Sequence, residues 1–323
     1  MHNAFATLSP DLVLHAVEHL GFLSDARICA LNSYENRVFQ VGIEEEAPLI
    51  AKFYRPERWT NEAIREEHGF LYELAEREIP VVPPLQRDGE SVFEYGGFRF
   101  ALFPRIGGRT PEIENPDILY RTGQLLGQIH AVGACRVFQH RETRSFLETG
   151  EHACQFLLHN ANFTSHETEY FQRITTELLA RIKKEFEASY NPIRLQGDCH
   201  IGNLLIRDNR LHLVDFDDSR MGPALQDIWL LLSGERHEQR RQLAELIEGY
   251  QEFIYFPCSE LSLLESLRTL RILHYNAWLA ARYQEPAFVQ AFPWFNQSGY
   301  WEKFLQQLLA QCFALDAAPL SLS

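Results

Sequence analysis

Positive charge is in short supply along this chain. Its 323 residues carry 30 Lys and Arg against 44 Asp and Glu, a net charge of −14. A surface of that sign disfavours broad contact with nucleic acid or an anionic membrane, while leaving room for a local basic pocket. Paired cysteines are missing as well. The six cysteines, at 29, 135, 154, 199, 258 and 312, form no C-x-x-C, which argues against a zinc ribbon or a disulfide-stapled scaffold. No apolar run approaches the ~20 residues of a membrane span. The opening MHNAFATLSPD lacks the basic-then-apolar layout of a secretory signal, so a reducing cytoplasm is the expected compartment. The histidines at 130, 140, 152, 159 and 166 show no metal-ligand spacing. No repeat or low-complexity tract is present.

What the chain does have is core-forming material and one concentrated stretch of chemistry. Apolar residues make up 46% of it, enough for two packed lobes at this length. The stretch is 195–218, LQGDCHIGNLLIRDNRLHLVDFDD. Asn203 follows Asp198 by five positions, and Asp215 follows Asn203 by twelve. The apolar runs Leu204–Ile206 and Leu211–Val214 flank a turn-like Arg207–Arg210, which predicts a hairpin. That hairpin would return Asp215 to the side of Asn203. A carboxylate and a carboxamide so placed are hard oxygen ligands of the kind magnesium takes, with waters and phosphates completing its shell. Kinases use the same order: a loop Asp as proton acceptor, an Asn, and the Asp of D-F-G on the metal. Here the third element reads Asp215-Phe216-Asp217.

Upstream, Ser9-Pro10-Asp11 opens a short helix ending at Gly21. Three strand-like runs follow, Arg27–Leu31, Arg37–Gly42 and Leu49–Tyr54. Between the first two lies a polar turn, Asn32 to Asn36. No glycine-rich phosphate loop occurs here. An ordinary hairpin turn is the simpler reading of this segment alone, although Ser33 and nearby backbone N–H groups could meet phosphate oxygens. Lys52 lies among apolar strand residues and needs a carboxylate. A helix from about Thr60 to Arg77 offers Glu67, on the apolar face with Leu71 and Leu74, in preference to Glu66. Runs at Ser91–Glu94 and Phe98–Phe103 complete five strands. Pro104 to Arg109 then reads as a connector.

Beyond Asp117 the pattern is helical. Candidates are Arg144–His159, His166–Ala188, Arg236–Phe256, Ser259–Tyr283 and Ser298–Ala314. The expected class is α+β and bilobal. Residues 1–103 form a small nucleotide-binding lobe with an antiparallel sheet and one helix. Residues 104–109 form a hinge and 110–323 a larger, mainly helical catalytic lobe. The aromatic residues Tyr275, Trp278, Trp294, Phe295, Tyr300 and Trp301 are expected in helix-packing core rather than in a cage for a cationic ligand. Asp227, at the start of an apolar helix, suits the helix dipole or could anchor the catalytic loop by accepting its N–H groups.

The strings LNSYENRV (31–38), AKFYRPERW (51–59), EEH (66–68), FPRIGGR (103–109), GDCHIGN (197–203), VDFDD (214–218) and GPALQDIW (222–229) resemble bacterial Ser/Thr protein kinases with the fold of aminoglycoside phosphotransferases and choline kinases. The likeness runs over nearly the full chain. It implies transfer of the γ-phosphoryl of ATP to protein Ser or Thr, with Mg²⁺, autophosphorylation, and a cytoplasmic monomer acting in stress survival. It further implies Asp198 as proton acceptor, Asn203 and Asp215 on the metal, and Ser33, Lys52 and Glu67 about the nucleotide. One departure is Gln196, where the family loop has histidine. A kinase of small alcohols is the rival reading. A dinuclear-metal hydrolase lacks its D-x-H and G-N-H, and a catalytically dead scaffold would have lost one of Asp198, Asn203 and Asp215.

Overall fold

The computed structural model describes residues 4–141, 145–187 and 190–322. The chain packs as two compact units. One is Met1–Glu142 with Pro192–Phe256, and the other is Thr143–Asn191 with Pro257–Ser323.

The first unit opens with helix α1 (Pro10–His19), whose first turn is capped by Ser9 Oγ accepting from Leu12 N. Strands β1 (Ser24–Leu31), β2 (Arg37–Ile43) and β3 (Leu49–Phe53) follow, then α2 (Asn61–Ala75), β4 (Phe93–Tyr95) and β5 (Phe98–Pro104). The strands form one antiparallel sheet in the order β1-β2-β3-β5-β4. Period-two alternation decides what each face carries. Leu49, Ala51 and Phe53 of β3 join Val13, Ala16 and Val17 of α1 in one apolar cluster. Tyr54 instead packs with Ile64 of α2 and Ala101 of β5, so Lys52 turns toward α2. Thr60 caps α2 by accepting from Ala63 N at 3.2 Å. The buried stripe of α2 includes Ile64, Glu67, His68, Phe70, Leu71 and Leu74.

The remainder of this unit is helix α3 (Pro116–Gly133) and the segment from β6 onward. Its strands are β6 (Ile193–Leu195), β7 (Leu204–Arg207), β8 (Arg210–Leu213) and β9 (Arg220–Gly222). Helices of the second unit come between in sequence, α4 (Phe146–Asn160) and α5 (Ser165–Glu187). The short α6 (Gln226–Trp229) and α7 (Arg236–Tyr250) close the first unit. Glycines let α3 and α7 approach backbone to backbone. A Cβ on Gly123 would stand 2.0 Å from the Leu246 carbonyl oxygen, and one on Gly249 2.0 Å from that of Tyr120. This contact fixes His130 of α3 against Tyr250 of α7, beneath the loop that follows β6.

In the second unit α4 and α5 pack with α8 (Leu264–Arg282) and α10 (Tyr300–Asp316), and Phe288 of α9 (Pro286–Ala291) packs on Trp278 of α8. Residues 258–263 form a 3₁₀ turn before α8 rather than its first turn. Arg144 and Ala188, ends of two expected helices, lie outside the described residues. The expected aromatic core holds for Phe295 and Trp301, which are buried, whereas Tyr275 and Trp294 are 36% and 44% exposed. Among the described residues no helix is long and apolar enough to cross a membrane. All six cysteines are free. The fold is of mixed class, with an antiparallel sheet and many helices.

Replacing Gly123 by Ala forces a methyl into the α3–α7 contact. Overpacking of this kind costs about 1–3 kcal/mol, and the backbone carbonyl opposite puts Gly123→Ala at the upper end. Urea denaturation is expected to show a lower midpoint with an unchanged slope; an unchanged midpoint would contradict the close contact.

Candidate active site

The stretch 195–218 is built on the β7–β8 hairpin. Asp208 and Asn209 both have positive φ, 49° and 59°, the conformation of a tight two-residue turn whose twist matches its strands. The hairpin returns the chain so that Val214 N donates to the carbonyl of Asn203 at 3.0 Å. Asn203 Nδ2 donates in turn to the Asp198 carbonyl at 3.0 Å. Gln196, fully buried, closes the frame with both ends of its carboxamide. Its Oε1 accepts from Asp198 N at 2.8 Å, and its Nε2 donates to the Asp215 carbonyl at 2.5 Å. Gln196, singled out in the sequence as a departure, thus ties Asp198 to Asp215. Asp215 itself has φ +58°, a conformation costing an L-residue about 1–3 kcal/mol, which persists only where its surroundings impose it. Its side chain is 57% exposed.

The frame rests on Asp227. One carboxylate oxygen accepts from Gly197 N at 2.8 Å. The other accepts from Gln196 N at 2.8 Å and from His130 Nε2 at 3.1 Å. His130 Nδ1 lies in turn 3.0 Å from Tyr250 OH, so the imidazole bridges Asp227 and Tyr250. Gly197 must be glycine. Its φ is +93°, and a Cβ would lie 2.1 Å from the Asp218 carbonyl. Of the two roles open to Asp227, helix-start acid and loop anchor, the second is directly visible.

Lys52 stands at the centre of the charges. Its Nζ lies 3.2 Å from Asp215 Oδ1, 3.2 Å from Asp217 Oδ1 and 3.9 Å from Glu67 Oε1. Burial works against its charge, yet Asp217, Asp215 and Glu67 together hold its pKa well above the ordinary lysine value. Asp217 is buried too, and burial alone would raise its carboxyl. Arg58, Lys52 and Arg141 outweigh that and keep it well below the usual carboxylate range. Arg58 pairs with Asp217, with Asp218 at 2.6 Å and with Glu35 at 3.5 Å. Glu35 belongs to the polar turn, where Ser33 Oγ donates to the Asn36 carbonyl at 3.2 Å. Glu66 points away from Lys52 and binds the backbone of residues 139–141.

Asp198, Asn203, Asp215, Lys52 and Glu67 therefore converge within the first unit, while the Ser33 hydroxyl closes its own turn. Sequence reasoning missed Asp217, Arg58 and Arg141. The first two sat inside the quoted strings VDFDD and AKFYRPERW, but no spacing rule singles them out. Asn203 uses its amide on the Asp198 carbonyl, which leaves its oxygen as the end that would face a cation. With the exposed Asp215 carboxylate this gives a pair of hard oxygen donors, the donor set suited to magnesium. Among the described residues no group of three or more His, Cys, Asp or Glu is placed to hold a metal. A magnesium ion that keeps waters and phosphates needs no such group.

A family model described as the phosphotransferase enzyme family matches residues 27–261. The chain belongs to that family. This phosphotransferase is 40% identical over 319 residues to stress response kinase A of Escherichia coli (strain K12), covering 99% of this chain and 97% of that one. Against the serine/threonine protein kinase RdoA of Salmonella typhimurium the identity is 39%, with the same coverage. It is a kinase. Among solved structures, an amicoumacin kinase in complex with AMP-PNP, Ca²⁺ and its ligand superposes with TM-score 0.71 at 16% identity, covering 99% of this chain and 95% of that one. A microcompartment-associated aminopropanol kinase gives 0.70 at 18%, covering 98% and 100%. At those identities the likeness is one of fold.

Asp227→Asn keeps the side chain's shape but sets an NH₂ group against a backbone N–H. Hydrogen bonds to a charged acceptor contribute about 1.5–3 kcal/mol each, so a loss of stability near 2 kcal/mol is expected in urea denaturation, together with slower turnover. A variant as stable and as fast as the parent would remove Asp227 as the anchor.

Proposed function

We propose that this kinase transfers the γ-phosphoryl group of ATP to serine and threonine hydroxyls of proteins, its own chain included, in the stress response. The observation that carries this reading is the shared frame of Gln196, Asp198, Asn203 and Asp215, with Lys52 at 3.2 Å from Asp215. Phosphoryl transfer asks the protein chiefly for positioning and charge stabilisation, and this frame fixes a carboxylate base relative to two metal donors and a lysine. Asp198 takes the proton of the attacking hydroxyl. Lys52 holds nucleotide phosphate oxygens, and Glu67 keeps Lys52 in place. Ser33 and its turn lie over the phosphates. Asn203 and Asp215 would hold Mg²⁺, which when bound neutralises phosphate charge. Residues 1–103 serve as the nucleotide lobe, 104–109 as the hinge and 110–323 as the catalytic and substrate lobe.

A protein acceptor is supported by the names of the curated relatives, stress response kinase A and serine/threonine protein kinase RdoA. The same reading makes the enzyme a cytoplasmic monomer. Six free cysteines suit a reducing compartment. Neither nucleic acid nor membrane is a partner.

Incubation of the purified protein with ATP, Mg²⁺ and a generic protein substrate, followed by mass spectrometry, is expected to show phospho-Ser or phospho-Thr on substrate and enzyme. Absence of both, beside rapid phosphorylation of an aminoglycoside or amino alcohol, would overturn the protein acceptor in favour of a small one. Asp198→Asn tests the base. A positioned general base contributes about 10²–10⁴-fold, so turnover falls by that order while ATP affinity is kept. A rate within about threefold of the parent would rule out Asp198, since a change that small is under 1 kcal/mol of barrier.

A further inference from the structure

Both glutamates in the middle of α2 are held by the segment that leaves α3. This segment, residues 136–141, lies along α2 and meets one stripe of it. Arg136 pairs with Glu73 at 3.1 Å. Phe138 packs edge-on against Phe70, ring centroids 5.7 Å apart. The Glu66 carboxylate then accepts three successive backbone N–H groups, from Gln139 at 2.5 Å and from His140 and Arg141 at 2.8 Å each. Successive N–H groups converging on one anion form a nest of fixed partial charge. The next contact is Arg141 itself, buried with 1% exposure. Its guanidinium donates to Glu67 Oε2 at 2.9 Å, to the Ala63 carbonyl at 3.4 Å and to the Asp217 carbonyl. It also lies 4.2 Å from the Trp59 ring centroid.

Residues 63, 66, 67, 70 and 73 recur at intervals of three and four, the spacing of one helical face. The other end of this segment is anchored by α3, which the glycine contact with α7 holds rigidly. Glu67 has two cationic neighbours, and the nearer is Arg141 at 2.9 Å rather than Lys52 at 3.9 Å. The pairing of Glu67 with Lys52 therefore depends on where α2 is held; Arg194 on Glu73 at 2.7 Å and His68 on Tyr54 and Ser91 at 2.8 Å each hold it as well, but residues 136–141 are the contact that takes both Glu66 and Glu67.

We propose that Glu66 and Arg141 are positioning residues for phosphoryl transfer, strapping α2 to residues 136–141 so that Glu67 stays within reach of Lys52. This rests on the reading of Lys52 as the phosphate-holding lysine. Neither residue need touch a substrate. The strap belongs to the same chain and requires no modification, so the helix is in its working position as soon as the protein is folded.

Glu66→Gln is the test, because Glu66 is only half buried and the variant is isosteric. Hydrogen exchange without nucleotide is expected to speed up across residues 61–75 while β1 and β2 keep parental protection. kcat is expected to fall about tenfold, near 1.4 kcal/mol of barrier, with KM for ATP moving less. In a double-mutant cycle the loss from Glu66→Gln should largely vanish when Glu67→Gln is already present, since both act through one pair. A general loss of structure would instead multiply the two effects. Unchanged exchange over 61–75, or losses that multiply, would overturn the strap. Lys52→Met separates the two ideas: full turnover in that variant would sink the role of Lys52, and the exchange experiment would still judge the strap by itself.

Discussion

The carboxylate of Asp227 is the constraint on which the site depends. It sits fully buried and accepts from the N–H groups of Gln196 and Gly197 and from His130 Nε2. An isolated buried charge would be very costly; here three donors on two elements meet it. The loop before Asp198 can then adopt a conformation that it would not hold alone, including the positive φ of Gly197. The packing beneath follows from the same need. His130 can meet Tyr250 beneath Asp227 only because α3 and α7 approach through Gly123, Gly127 and Gly249.

Above that anchor, geometry passes through the carboxamide of Gln196. Its two ends are a donor and an acceptor, and the site uses both: one on the N–H of Asp198, the other on the carbonyl of Asp215. A carboxamide holds this pattern without titrating, so the tie between the two aspartates does not depend on protonation at that position. The strained φ of Asp215 is sustained by the same contact, with the hairpin fixing Val214 against Asn203.

The charges around Lys52 follow a different logic. Lys52, Arg58 and Arg141 face Glu67, Asp215 and Asp217, mostly out of water. Burying such groups is favourable only with good geometry and satisfied hydrogen bonds. Each cation here touches more than one partner, and Asp217 is shared between Lys52 and Arg58. The cluster brings β3, the segment before α2, the middle of α2 and the D-F-D turn to one point. Its arrangement gives Lys52 two close carboxylates, at 3.2 Å each, besides the helix glutamate.

The sequence by itself determined the elements and much of the site's chemistry. The apolar run 49–54 set Lys52 where it needs a carboxylate, and the 3.6 period put Glu67 with Leu71 and Leu74 on the inner face of α2. The polar turn between two apolar runs determined the hairpin that carries Asp215 back to Asn203. These are local rules, set by side-chain direction along a strand or helix. Only the tertiary structure decided the partners of long sequence separation. Arg141 reaching Glu67, Glu66 gripping the backbone at 139–141, Arg58 bridging Glu35 and Asp217, and Asp217 rivalling Glu67 for Lys52 all join segments far apart in the chain. No periodicity encodes such pairs, because charged side chains choose among several opposite charges by distance and burial, which exist only once the sheet, the helices and the loop after β6 have packed.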